Sequence, residues 1–162
     1  MFLAGKKLFC IKMRYPIKIR DIQGSKRIIL PALSVQPHSF GAMECVIDTG
    51  APKTIISASD AQRLKIPFTN LESTSPVIGL GKSSTPVLSI KSFLIAIKSE
   101  DGKLNRLDIS AIVTDVPTLK KFGQNILEHA FMIPTLIGMD FLENNGFKLF
   151  IDIKGGVAYL ED

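Results

Sequence analysis

The sequence is organised around one short stretch, Val46-Ile47-Asp48-Thr49-Gly50-Ala51, continued by Pro52-Lys53-Thr54-Ile55-Ile56. An apolar run leads directly to a carboxylate, then a hydroxyl, then a glycine. Strand side chains alternate, so Val46 and Asp48 share one face while Cys45 and Ile47 take the other. The apolar residues anchor the strand and deliver Asp48 to its exit. Gly50 permits a sharp turn there, because glycine alone takes positive φ without strain. Thr49 sets a hydroxyl beside the acid, able to donate or to accept. An acid buried at such an exit is costly unless hydrogen-bonded, so Asp48 is expected to be held by donors and to serve a purpose.

A second stretch, Leu136-Ile137-Gly138-Met139-Asp140-Phe141-Leu142, joins an apolar strand and a glycine to the start of a short helix. Between the two lies a glycine hairpin at Gly79-Leu80-Gly81. These elements, with Thr54 six residues beyond Asp48, resemble the retropepsin-like aspartic proteases over roughly Tyr15 to Leu160. The resemblance implies a mostly β, closed, barrel-like fold with one or two short helices, assembled as a C2 homodimer. It implies Asp48 as the catalytic acid, Thr49, Gly50 and Ala51 as support of the active-site loop, and Thr49 as a brace across the dimer axis. It also implies a flap in which Ile78, Gly79, Leu80 and Gly81 meet the substrate. Retroviral members carry an acid where this chain has Pro52, and an arginine where it has Met139. Losing both partners of that ion pair leaves no unpaired charge and points towards cellular or mobile-element relatives.

Along the chain, Tyr15–Ile22 alternates apolar and polar residues and reads as a half-buried strand, with a turn at Gln23-Gly24-Ser25. Arg27–Val35 returns as a second strand, in which Pro31 marks an edge or bulge. Gln36–Ala42 reads as a loop. Ser57-Ala58-Ser59-Asp60 is a helix-start pattern, stopped before Pro67. Val87–Lys98 and Leu104–Val113 form a hairpin about Asp101-Gly102. From Val116 to Ile133 two readings stand: a helix opened by Pro117-Thr118 and running through Leu127, or an irregular insertion. Phe147–Ile153 and Val157–Leu160 make a last hairpin. Residues 1–14 are read as a basic arm and 15–162 as one protease domain.

The net charge of +5 is unevenly placed. Residues 1–27 hold eight basic residues against Asp21 alone, a balance of +7, which leaves −2 for the remainder. Such an arm can touch nucleic acid or an anionic membrane. The plainer reading, a solvated strand face, is preferred, because no aromatic-plus-basic module accompanies it. The opening Met1–Ala4 is too short for a signal-peptide core. Two cysteines, Cys10 and Cys45, make no disulfide framework, which favours a reducing, cytoplasmic setting. Cys45 reads as a small apolar packer.

Other chemistries lack their residues. Gly81-Lys82-Ser83 suggests a phosphate loop, but position 76, where that motif needs glycine, is Pro76. Gly79-x-Gly81 has Ser84 in place of its third glycine. His38 and His129 stand alone, so neither metal nor other cofactor is expected. Carboxylate acid–base chemistry is left, and it needs two acids where the chain has one Asp-Thr-Gly. Asp140 reads as a first-turn acid favoured by the helix dipole. The second acid is therefore expected from another copy across a two-fold axis. The leading function is a homodimeric aspartic endopeptidase acting on polypeptides. The rival is a catalytically silent dimer of the same fold that binds peptide or serves in assembly. Ala51 offers the dyad no hydroxyl donor, which predicts a mildly acidic optimum.

Overall fold

The computed structural model describes residues 11–78 and 84–162. Pairing begins with β1 (Arg14–Ile22), β2 (Ser25–Gln36) and β3 (Ser39–Ile47), a meander in which Ile29, Leu30, Ala32, Met43, Cys45 and Ile47 are buried. The expected loop at Gln36–Ala42 is instead a tight turn. Gln36 pairs with Ser39, and His38 between them takes φ 67°. The reading failed because Gly41 looks like a loop residue. Its lack of a side chain is used for packing, since a Cβ there would lie 2.8 Å from Leu64 Cδ2.

β2 changes neighbours along one edge. It pairs with β1 as far as Ile29 and with β8 (Val87–Lys98) from Ala32 onward. Pro31 falls in the gap between the two ladders, where a missing N–H costs least. β8 also pairs with β9 (Leu104–Thr114), with a register shift between Ile90 and Phe93. β9 runs parallel to β4 (Ile55–Ile56), and β4 pairs with β10 (Leu136–Ile137). β10 lies parallel to β3. The pairing β2–β3–β10–β4–β9–β8 thus returns to β2. Beyond β1 the sheet continues through β12 (Val157–Glu161) to β11 (Lys148–Asp152) at its edge. The short β5 (Glu72–Ser73) borders β8, and β6 (Val77–Ile78) with β7 (Ser84–Thr85) makes a separate two-stranded ribbon.

Four helices stand among the described residues, where one or two were expected: α1 (Ala58–Arg63), α2 (Val116–Phe122), α3 (Gln124–Met132) and α4 (Met139–Asn145). Ser57 caps α1 by accepting from the Asp60 N–H, as its pattern predicts. The extra helices come from the stretch left open by the sequence. Asp115 caps α2 by accepting from Thr118 N–H, and Gly123 at φ 115° breaks α2 from α3. The pair packs on α1 through Ala58, Val116, Leu119 and Ala130, a small core separate from the main one. No helix among the described residues is long and apolar enough to cross a membrane.

Candidate active site

β3 and β10 carry the two halves of the site side by side. Val46 pairs with Leu136 and Ile47 with Ile137. The ladder runs one residue past β3, since Asp48 N–H donates to the Ile137 carbonyl at 3.0 Å. The chain then turns back, with Ala51 N–H donating to the Asp48 carbonyl at 3.1 Å. Asp48 Oδ1 accepts from Gly50 N–H at 2.9 Å. In the single chain Asp48 is exposed, not buried. Gly50 does not take a positive φ either. A Cβ there would sit 3.2 Å from Asp48 Oδ1, so any larger residue would press on the carboxylate that its N–H holds. Thr49 is exposed and Ala51 half-buried.

A buried polar lock fixes the far end of this loop. Asp140 Oδ1 accepts from Thr54 N–H, from the Thr54 hydroxyl and from Phe141 N–H, each at 2.8 Å. The Thr54 oxygen in turn accepts from Gly138 N–H at 3.1 Å. Thr54 is 1 % exposed and Asp140 9 %. Hydrogen bonds to a charged acceptor contribute about 1.5–3 kcal/mol each when buried. Gly138 completes the lock: a Cβ there would lie 2.5 Å from the Lys53 carbonyl carbon and 2.8 Å from the Ala51 oxygen. This closeness lets Met139 N–H reach the Ala51 carbonyl at 2.8 Å. Asp140 is a first-turn acid of α4 as expected, but its larger role is to tie α4 to the loop that follows Asp48. The signal was present in the paired spacings of Thr54 after Asp48 and Asp140 after Gly138.

A row of side chains completes the cleft face and was not singled out from sequence. Val46, Leu136, Ile55, Ile112 and Ser89 are successive partners across β3, β10, β4, β9 and β8, and all are half-buried. Their neighbours Ile47, Ile137, Ile56 and Val113 are buried in the core. Alternation puts the row on the same face as Asp48. The ribbon of β6 and β7 pairs Val77 with Thr85 and Ile78 with Ser84, leaving Ile78 72 % exposed. The expected flap residues Gly79, Leu80 and Gly81 lie outside the described residues. Beside Thr49 opens a recess of about 700 Å³, lined also by Met139, Leu142, Glu143, Gly146, Phe147 and Leu149.

Remaining candidates fall away from the site. Burial, helped by Asp60 and Glu44, pushes the Cys45 thiol up to about 12, so it packs as an inert apolar group. His38 and His129 are exposed. Among the described residues no three His, Cys, Asp or Glu side chains gather as a metal site would need.

A mostly β sheet with Asp-Thr-Gly at a strand exit, locked to a glycine-led helix, gives the retropepsin-like class of fold. A family model described as aspartyl protease matches residues 41–141, and the chain belongs to that family. Its fold is similar to that of a retropepsin-like aspartic protease from Rickettsia conorii, at 18 % identity and TM-score 0.50 over 93 % of this chain and 90 % of that one. It is similar also to the EIAV protease complexed with the inhibitor HBY-793, at 18 % identity and TM-score 0.50 over 78 % of this chain and 95 % of that one. No curated protein matches the chain by sequence. The resemblance drawn from Asp48–Ala51 and Leu136–Leu142 is thereby borne out.

Proposed function

We propose that the chain is an aspartic endopeptidase whose active site forms when two copies bring their Asp48 carboxylates together. The observation that carries this reading is the presentation of Asp48. Gly50 N–H holds one oxygen, and no other side-chain or backbone donor reaches the carboxylate among the described residues. One such acid per chain leaves a two-fold axis as the source of the second. Two carboxylates that close share a proton, the general behaviour of such dyads. One carboxylate takes a proton from water as its oxygen attacks the scissile carbonyl carbon, while the other protonates the carbonyl oxygen. Collapse of the tetrahedral diol passes a proton to the amide nitrogen, breaks the C–N bond and releases an acid and an amine.

Thr49 in this reading braces the dyad across the axis. The apolar row of Val46, Leu136, Ile55 and Ile112 favours apolar side chains beside the scissile bond, and the β6–β7 ribbon covers an extended peptide. A reducing compartment such as the cytoplasm suits the free Cys45. The test is incubation with a mixed peptide library, with and without a statine-type inhibitor. Cleavage that the inhibitor blocks, and that Asp48→Asn lowers by about 10³-fold or more, supports the reading. A wild-type protein that binds peptides as well as Asp48→Asn does, and cuts none, would instead be a binding module.

A further inference from the structure

The α2–α3 hairpin shows more apolar surface than it needs in order to fold. α3 turns Leu127, Ala130 and Phe131 into the small core it shares with α1 and α2. Away from that core Ile126 is 51 % exposed and Met132 81 %, with Phe122 60 % exposed at the end of α2. Ile133, exposed as well, follows directly. Single exposed apolar side chains are ordinary, but four within the twelve residues 122–133 mark a contact surface.

What this surface adjoins indicates its occupant. Ala42, Glu44 and Val46 alternate with buried Met43, Cys45 and Ile47, so they share the face of β3 that leads to Asp48. A recess of about 340 Å³ opens on this face, between Ala42 and Glu44 of β3 and Met132, Ile133 and Pro134 at the end of the insertion. Two residues beyond Glu44 comes Val46, and two beyond Pro134 comes Leu136, the first members of the half-buried apolar row. The recess thus joins that row to the exposed side of α3. Its polar groups satisfy one another. Asp60 accepts from the Thr135 hydroxyl and from Arg63, each at 2.6 Å, and Arg63 also donates to the Ala42 carbonyl. Glu44 is held by Arg20 through two bonds at 2.7 Å. The rim therefore offers chiefly apolar contact. Beside it, Lys120 and Lys121 stand exposed in the last turn of α2, and neither enters an ion pair among the described residues. They favour acidic neighbours.

We infer that the α2–α3 hairpin is an exosite for the polypeptide substrate. The chain leaving the cleft past Glu44 and Pro134 lays apolar side chains on Ile126, Met132 and Ile133, and turns acidic ones towards Lys120 and Lys121. The inference rests on the protease reading, because the cleft delivers the segment. It adds a substrate class to that reading: extended polypeptides with apolar and acidic residues well outside the bond that is cut.

The test compares a short peptide that the protein cuts with the same peptide lengthened, at one end and then at the other, by a tail of Leu, Ile and Asp. The full chain should cut one lengthened form with kcat/KM about tenfold or more above the short form, mainly through KM. In the Ile126→Ser, Met132→Ser double variant that gain should vanish, and Met132→Leu should keep it. Lys120→Glu with Lys121→Glu should remove the preference for Asp over Lys within the tail. A tail that brings no gain, or a gain equal in wild type and double variant, overturns the inference. If cleavage still depends on Asp48 in that case, the exosite falls and the protease reading stands. If no peptide is cut at all, the protease reading falls, and binding of the tailed peptide, read by fluorescence anisotropy, decides the surface. Binding weakened about tenfold by the two serines keeps it, and equal binding overturns it. Self-association lost in the double variant would put a second copy on this face, and retention of the wild type alone on phosphatidylserine vesicles would put a membrane there. Either result overturns the inference.

Discussion

Ala51 is half-buried in the loop after Asp48 and donates its N–H to the Asp48 carbonyl, with no side-chain donor to offer. In the proposed enzyme, a serine at this position adds a hydroxyl beside the dyad and stabilises its ionised form. Ala51→Ser is therefore expected to move the pH–rate optimum to lower pH, with the wild type peaking in the mildly acidic range, as measured on one peptide from pH 2 to 8. A wild-type maximum near pH 2–3 would count against that account. Lys53 makes a second residue-scale prediction. Lys53 is exposed in the bend between the Asp48 turn and β4, on a backbone packed closely against Gly138. In the proposed enzyme, Lys53→Glu should lower kcat/KM for peptides with an acidic residue near the cleavage point relative to basic ones, by about 3–10-fold for an exposed pair. At this scale the turn at the exit of β3 was legible because an apolar run leads straight into Asp48, Thr49 and Gly50. Asp140 was legible as an acid on a helix but not as the partner of Thr54, since the contact spans 86 residues of chain. Gly50 was read for its backbone freedom, whereas in the structure it takes no positive φ and what it spares is a close approach to the Asp48 carboxylate.

Among the elements, the lock between the catalytic loop and α4 is a unit, and its parts should not act independently. Asp140→Asn and Thr54→Val should each destabilise by about 2–3 kcal/mol, because each leaves buried groups without a charged or hydroxyl partner. The double variant should cost clearly less than the sum, a coupling readable from urea midpoints in a double-mutant cycle. Additive losses would show that Thr54 and Asp140 are independent. The helices of the 114–133 region were the least legible part. Asp115, Pro117 and Gly123 are ordinary start and stop signals, but Gly123 follows Asp115 by only eight residues. Helices that short owe their existence to packing on α1, which no local pattern displays. The long strands were read closely, with Val87–Lys98 found at its expected limits, because alternation over that many residues has few rivals.

Across the whole molecule, β1 and β12 are tied by Glu161, which accepts from Lys12 and Arg14 at 3.2 Å each. These bonds, Lys12 first, hold the Glu161 carboxyl below its ordinary value of 4.5. A carboxyl depressed by folding adds stability that is fully present above its unfolded value and disappears as pH falls through the lower folded one. The wild type should thus lose part of its advantage over Glu161→Gln as pH drops below about 4.5, seen as converging urea midpoints. An unchanged difference down to pH 3 would mean that the pair contributes nothing. The order of strands around the sheet was not legible at this scale, because the closure through β2 and β8 joins residues far apart in sequence.

Each of the apolar doublets Val46-Ile47, Ile55-Ile56, Ile112-Val113 and Leu136-Ile137 gives one half-buried member to the sheet face that carries Asp48, the cleft wall of the proposed enzyme, and the other to the interior. Anchoring and lining are thereby divided between adjacent positions. The lining can be exchanged for smaller or larger apolar groups while the anchor beside it stays in place. A protein built this way can drift towards new targets by single changes at four positions without first losing its footing.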